Sequence, residues 1–123
     1  GLICNNTYRQ LNDSTLSTLF NLLESLNIPY TYSSQKGYLT INGNLIHTRS
    51  MDHYDSLRGS EYAWCAADEC VFYKKAAWQV MLGRIRDKRG SLQIKGATTP
   101  NGFNYLYEDF VLKATKNHFM QNA

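Results

Sequence analysis

No stretch of this chain approaches the roughly 20 consecutive apolar residues that a membrane-crossing helix requires, and no basic, apolar, small-residue order at its start resembles a leader peptide. Membrane contact is therefore not expected. Cysteine is scarce: Cys4, Cys65 and Cys70 form an odd set without CxxC spacing, which argues against a disulfide framework and a zinc site and fits a reducing compartment. Histidine is as sparse. His47, His53 and His118 form no i, i+4 pair and have no cysteine partners nearby, so they read as ordinary surface or loop residues rather than metal ligands. Neither sign of charge dominates: a net charge of +3 permits contact with a polyanion but falls short of a dedicated nucleic-acid-binding domain.

What is present describes a folded domain, or part of one. A length of 123 residues can bury a real core, and 43% hydrophobic residues with nine tyrosines are too many for a disordered tail. The chain begins at Gly1, and Leu2-Ile3-Cys4 reads as a strand already under way, so Gly1 is expected to be a cut edge. Residues Leu2 to Asn5 predict a short buried strand. Asn12-Asp13-Ser14 then offers N-cap chemistry before Leu16, Leu19, Phe20, Leu22, Leu23 and Leu26 at helical spacing. Pro29 closes that helix. Tyr30 to Tyr32, Tyr38 to Ile41 and Leu45 to Thr48 alternate as strands, the last two joined as a hairpin across Asn42-Gly43.

Met51 to Ser60 is polar and loop-like, whereas Tyr62 to Ala67 is an uncharged run that ends abruptly at Asp68-Glu69. Within that run Ala63, Cys65 and Ala67 would share one face, with Tyr62 and Trp64 on the other. Lys74 to Arg86 carries an apolar helical stripe that ends at Lys88-Arg89-Gly90; Leu92 to Thr99 predicts another strand, stopped by Pro100-Asn101-Gly102, with a helix from Phe103 to Leu112 behind it. This alternation of strand and helix implies crossover connections. The predicted fold class is α/β, a mainly parallel sheet flanked by helices with an inserted β-hairpin.

Open parallel sheets bind ligands beyond the carboxyl ends of their strands, and two such ends carry reactive side chains here. At Asp68-Glu69 one carboxylate can hold a magnesium ion, often through its waters, while the other orients an attacking water, which suits nucleotide hydrolysis. The hydroxyls of Thr98 and Thr99 can sense a phosphate. Arg58, beside the flexible Gly59, can reach phosphate oxygens and offset transition-state charge. Each element alone has a bland reading: acids at a helix N-terminus, a strand-ending turn, a surface ion pair. The Arg84, Arg86, Lys88 and Arg89 cluster reads first as a solvated helix end and second as a DNA contact. The tyrosines Tyr8, Tyr30, Tyr32, Tyr38 and Tyr54 read as core or rim packing before base stacking.

Taken in order, Leu57-Arg58-Gly59-Ser60-Glu61-Tyr62-Ala63-Trp64, Ala67-Asp68-Glu69, Gly83-Arg84-Ile85-Arg86, Thr98-Thr99-Pro100-Asn101-Gly102 and Tyr107-Glu108-Asp109-Phe110 resemble the ATPase of phage terminase large subunits from about Gly1 to Phe110. The resemblance implies a partial P-loop NTPase fold over residues 1–123 and the chemistry of a viral DNA-packaging motor. It makes Asp68 the Walker B magnesium residue and Glu69 the carboxylate that activates water against the γ-phosphate of ATP. It makes Arg58 an arginine that reaches a neighbouring subunit's nucleotide, and Thr98 and Thr99 the motif coupling hydrolysis to DNA movement. ATP and Mg2+ are the implied cofactors. Double-stranded DNA, the portal protein, the small terminase subunit and further copies in a ring are the implied partners, in the host cytoplasm at the procapsid.

The family's phosphate-binding loop, GxxxxGK[ST], occurs nowhere in the chain and is expected just before Gly1; the family's nuclease domain is absent as well. Without the loop's lysine and amides the chain alone is expected to hydrolyse little or no ATP. Two other readings stay open: a helicase-type P-loop motor, and a non-catalytic DNA-binding or assembly fragment. A carboxylate nuclease ranks last, because adjacent acids on a regular strand cannot both face one metal.

Overall fold

The computed structural model describes residues 1–99 and 105–121. The Pro100-Asn101-Gly102 turn and the start of the helix expected from Phe103 lie outside the described residues. Six strands form one sheet: β1 Leu2–Asn5, β2 Tyr30–Ser33, β3 Tyr38–Ile41, β4 Asn44–Ser50, β5 Trp64–Asp68 and β6 Gln93–Ala97, in the order β2-β3-β4-β1-β5-β6. Strands β4, β1, β5 and β6 run parallel, whereas β2, β3 and β4 form an antiparallel meander. This is the expected α/β sheet with its inserted hairpin. The apolar β1, buried along its whole length, lies inside the sheet between β4 and β5.

Helix α1 begins as Tyr8–Gln10, passes through a π-helical stretch Leu11–Leu16 and returns to α-helix over Ser17–Ser25. It therefore starts before the Asn12-Asp13-Ser14 cap read from the sequence. The reason is a Thr-x-x-Gln capping box: Thr7 Oγ1 accepts from the Gln10 amide at 3.2 Å while the Gln10 side chain accepts from the Thr7 amide, also at 3.2 Å. The i→i+5 bonding of the π stretch widens the helix there, and both Leu11 and Leu16 are buried. Leu23 is buried too, whereas Leu22 and Leu26, placed on the apolar stripe by spacing alone, are exposed.

Met51–Leu57 is a 3-10 segment kinked at His53 rather than a plain loop, and it buries Met51 and Leu57. Helix α2, Lys75–Leu82, ends earlier than the Lys74–Arg86 stripe suggests. Past Gly83 the backbone is drawn into pairing with Tyr62, whose amide donates to the Arg84 carbonyl at 2.8 Å and whose carbonyl accepts from the Asp87 amide at 3.1 Å. The same bridge, Tyr62 beside Ile85, holds Tyr62 outside β5. Its ring consequently packs with Cys65 and Ala67, not opposite them with Trp64. Helix α3 comprises Tyr105–Tyr107 and a π-helical Glu108–Leu112.

Strand periodicity divides the core in two. On one face Leu2, Cys4, Cys65 and Ala67 pack against Met51, Leu57, Ala77, Trp78, Met81 and Tyr105. On the other Ile3, Leu39 and Ile46 pack against Leu11 and Leu16 of α1. All three cysteines are free thiols inside the first face. The Cys4 and Cys65 sulfurs lie 3.8 Å apart; that contact and burial push the Cys65 thiol up, and burial pushes Cys70 up to about 11. No helix among the described residues is long and apolar enough to cross a membrane.

Candidate functional site

Four parallel strands end on one rim. In order across the sheet they deliver Ser50 from β4, Asn5 from β1, Asp68-Glu69 from β5 and Thr98-Thr99 just past β6. The β5–β6 register pairs Asp68 with Ala97, so Asp68-Glu69 and Thr98-Thr99 stand at the ends of adjacent strands.

Asp68 is held on both oxygens. Its Oδ2 accepts from Thr15 Oγ1 at 2.7 Å, and its Oδ1 accepts from the Glu69 amide at 3.0 Å. Behind Thr15 stands Asn5, 1% exposed, whose Nδ2 donates to Thr15 Oγ1 at 2.9 Å. Asn5 and Asp68 lie on the α1 face of their strands, as alternation from buried Cys4 and Ala67 on the opposite face requires. Glu69 has φ +50°, in the left-handed region. This turn takes Glu69 out of the strand's regular alternation.

Immediately after Glu69 the chain makes a short 3-10 turn, Cys70–Phe72, and is tied to both neighbouring strands. The Val71 amide donates to Thr98 Oγ1 at 3.2 Å. Tyr73, 3% exposed, directs its hydroxyl to the carbonyls of Asp68 at 2.7 Å and Cys4 at 3.0 Å. Burial pushes the Tyr73 phenol well above its ordinary range, so it remains a neutral donor. The Tyr105 hydroxyl donates to the Cys70 carbonyl.

Arg58 is placed differently. Its Nε donates to Asp55 Oδ1 at 2.9 Å, both side chains are exposed, and Gly59 follows with φ +87°. Among the described residues it has no bond to Asp68, Glu69, Thr98 or Thr99. Within the basic cluster Arg86 pairs with Glu61 at 2.7 Å and Arg89 with Asp87 at 2.6 Å. Sequence reasoning missed Asn5, Thr15 and Tyr73 at this rim. An asparagine closing an apolar strand was a visible signal; Thr15 and Tyr73 had none, because their roles depend on packing across the sheet.

Among the described residues no three His, Cys, Asp or Glu side chains gather as a metal cage. A hard carboxylate such as Asp68, flanked by hydroxyls, instead fits a magnesium ion that keeps most of its ligands as water and phosphate oxygens. Two surface hollows among the described residues, one lined by Glu24, Asn27 and Tyr30 and another by Tyr8, Tyr32, Lys36 and Arg49, do not include the rim carboxylates.

No protein-family model matches the chain, and no curated protein matches it by sequence. Solved structures do match it in shape. The large terminase of a thermophilic bacteriophage, in complex with ATP-γ-S, superposes with a TM-score of 0.79 at 14% identity, covering 95% of this chain and 29% of that one. The large terminase ATPase domain of Thermus phage P74-26 gives 0.62 at 20% identity over 98% of this chain and 55% of that one. The N-terminal domain of the DNA packaging ATPase from bacteriophage phi29 gives 0.61 at 14% identity, over 86% and 61%. The chain thus spans under a third of the thermophilic phage's large terminase and somewhat over half of the other two ATPase domains. With its mainly parallel six-stranded sheet and these superpositions, the chain has the fold of part of a phage large-terminase ATPase domain.

Proposed function

We propose that this chain supplies the Walker B and coupling portion of an ATP-driven motor that packages double-stranded viral DNA. The observation that carries the reading is the convergence of Asp68, Glu69 and Thr98 on one rim, with the β5 and β6 ends joined by the Val71–Thr98 bond. Asp68 would hold Mg2+, which would supply positive charge to the phosphate oxygens of ATP. Glu69, turned out of the strand by its left-handed backbone, accepts the proton of the water that attacks the γ-phosphate of ATP. A change at Thr98 or Thr99 on loss of that phosphate is transmitted through Val71 to the turn behind Glu69. Arg58, exposed and bonded among the described residues to Asp55 alone, acts on the nucleotide of a neighbouring copy in a ring rather than on its own. DNA, the portal protein and the small terminase subunit are the proposed partners, and the host cytoplasm at the procapsid is the proposed location.

The chain contains no glycine-rich loop with a lysine to cradle phosphates, so turnover is expected only when a segment carrying such a loop is joined to it. The test compares the chain alone, the joined protein and its Glu69→Gln variant for phosphate release. The joined protein should hydrolyse ATP, with turnover falling by about 10²–10⁴-fold in Glu69→Gln. Turnover by residues 1–123 alone, or by the joined Glu69→Gln variant at the parent rate, would overturn the reading.

A further inference from the structure

We infer that Thr15 is a positioning residue for Asp68, setting the orientation in which that carboxylate meets the metal; the inference rests on the function proposed above. Three hydrogen bonds fix the direction of the relay. The Asn6 amide donates to Asn5 Oδ1 at 2.6 Å, so the Asn5 amide group must present Nδ2, not oxygen, to Thr15. Nδ2 then donates to Thr15 Oγ1 at 2.9 Å. With its oxygen accepting, the Thr15 hydroxyl has a single hydrogen, and it points at Asp68 Oδ2, 2.7 Å away. The Glu69 amide fixes the other oxygen at 3.0 Å. The carboxylate plane is therefore locked from two sides, with one lone pair on each oxygen left for the open rim.

The anchor is stiff because of where Thr15 stands. It lies in the π-helical stretch of α1, whose ends, Leu11 and Leu16, are sealed in the core. Single-turn π segments inside α-helices recur at functional positions, and this one presents a hydroxyl to a strand end. A β-branched threonine also has restricted χ1 freedom, so its hydroxyl is pre-aimed. Partners of this kind, behind a metal's direct ligands, set ligand orientation and hence affinity.

The test uses the chain joined to a segment carrying a phosphate-binding loop, with Mn2+ and a non-hydrolysable ATP analogue as the probe and paramagnetic resonance as the readout. Thr15→Val, which keeps the shape and loses the hydroxyl, should weaken Mn2+ binding by about 10–100-fold. Thr15→Ser should restore it to within about threefold, and affinity for the nucleotide without metal should not change. In turnover the Mg2+ concentration for half-maximal rate should rise, with kcat at saturating Mg2+ largely kept. A merely structural threonine would not produce that split. Should Thr15→Val not fold, Thr15→Ala, which leaves room for a water to take the Asn5 amide, reads out the same quantity. Parent-like Mn2+ affinity in the folded Thr15 variant, alongside its loss in Asp68→Asn, would overturn the inference and leave the function standing. Parent-like affinity in Asp68→Asn as well would overturn both.

Discussion

Replacing Tyr73 with phenylalanine removes one buried hydroxyl and nothing else, which makes it a direct measure of how firmly the reactive rim is fastened. The ring stays in the buried cluster that also holds Cys4, Cys65 and Ala67, so packing is conserved. What is lost is the donor shared by the Asp68 carbonyl at 2.7 Å and the Cys4 carbonyl at 3.0 Å, at a site only 3% exposed where water cannot take its place. Removing one partner of a buried hydrogen bond costs about 1–3 kcal/mol. With a urea dependence of about 1–3 kcal/mol per molar, the unfolding midpoint should fall by about 1 M. Urea titration followed by the fluorescence of Trp64 and Trp78 measures this directly. An unchanged midpoint with an unchanged slope would refute the reasoning, because it would mean that the two carbonyls do without the phenol.

Two further outcomes follow from backbone geometry and titration. Glu69 occupies a left-handed conformation at φ +50°, which costs a residue with a Cβ about 1–2 kcal/mol; Glu69→Gly should therefore be more stable than Glu69→Ala by about 1 kcal/mol, and equal midpoints in urea would refute this. The folded-state values of Cys65 and Cys70 are raised, Cys70 from 9.0 to about 11, so their contribution is complete below pH 9 and is lost as pH rises toward 11, when the unfolded chain's thiols ionise first. Each thiol contributes a slope of at most about 1.4 kcal/mol per pH unit, and a urea midpoint that stays level from pH 8 to pH 10.5 would contradict the burial that raises them.

Much of the fold was legible because local pattern and tertiary demand agree. The apolar β1, the Asn42-Gly43 hairpin and the alternating strands and helices all stand where spacing places them. The departures share a cause: a local signal met a stronger partner at a distance. The helical stripe through Ile85 yields to backbone pairing with Tyr62, and the Asn12-Asp13-Ser14 cap yields to the capping box at Thr7. Leu22 and Leu26 fit the stripe by number, but both face outward. That Asp68-Glu69 and Thr98-Thr99 stand at or just past the ends of adjacent strands was legible because strand ends are marked by abrupt changes in polarity. The Asn5–Thr15–Asp68 relay was not, since a π-helical stretch leaves no composition of its own and the contact spans 53 positions in the chain.

Strand β6 closes the sheet order on one side, and four of its five residues are exposed. A parallel border strand presents amides and carbonyls that no neighbour within the described residues satisfies, and Lys95 is its one charged side chain. Such a margin invites another extended segment to zip alongside it, and a lone lysine is a common guard against the wrong one. The border that would let a cognate strand complete this sheet is thus the same border along which copies of the chain would stick together, so a neutral, β-branched replacement of Lys95 would trade solubility for adhesion.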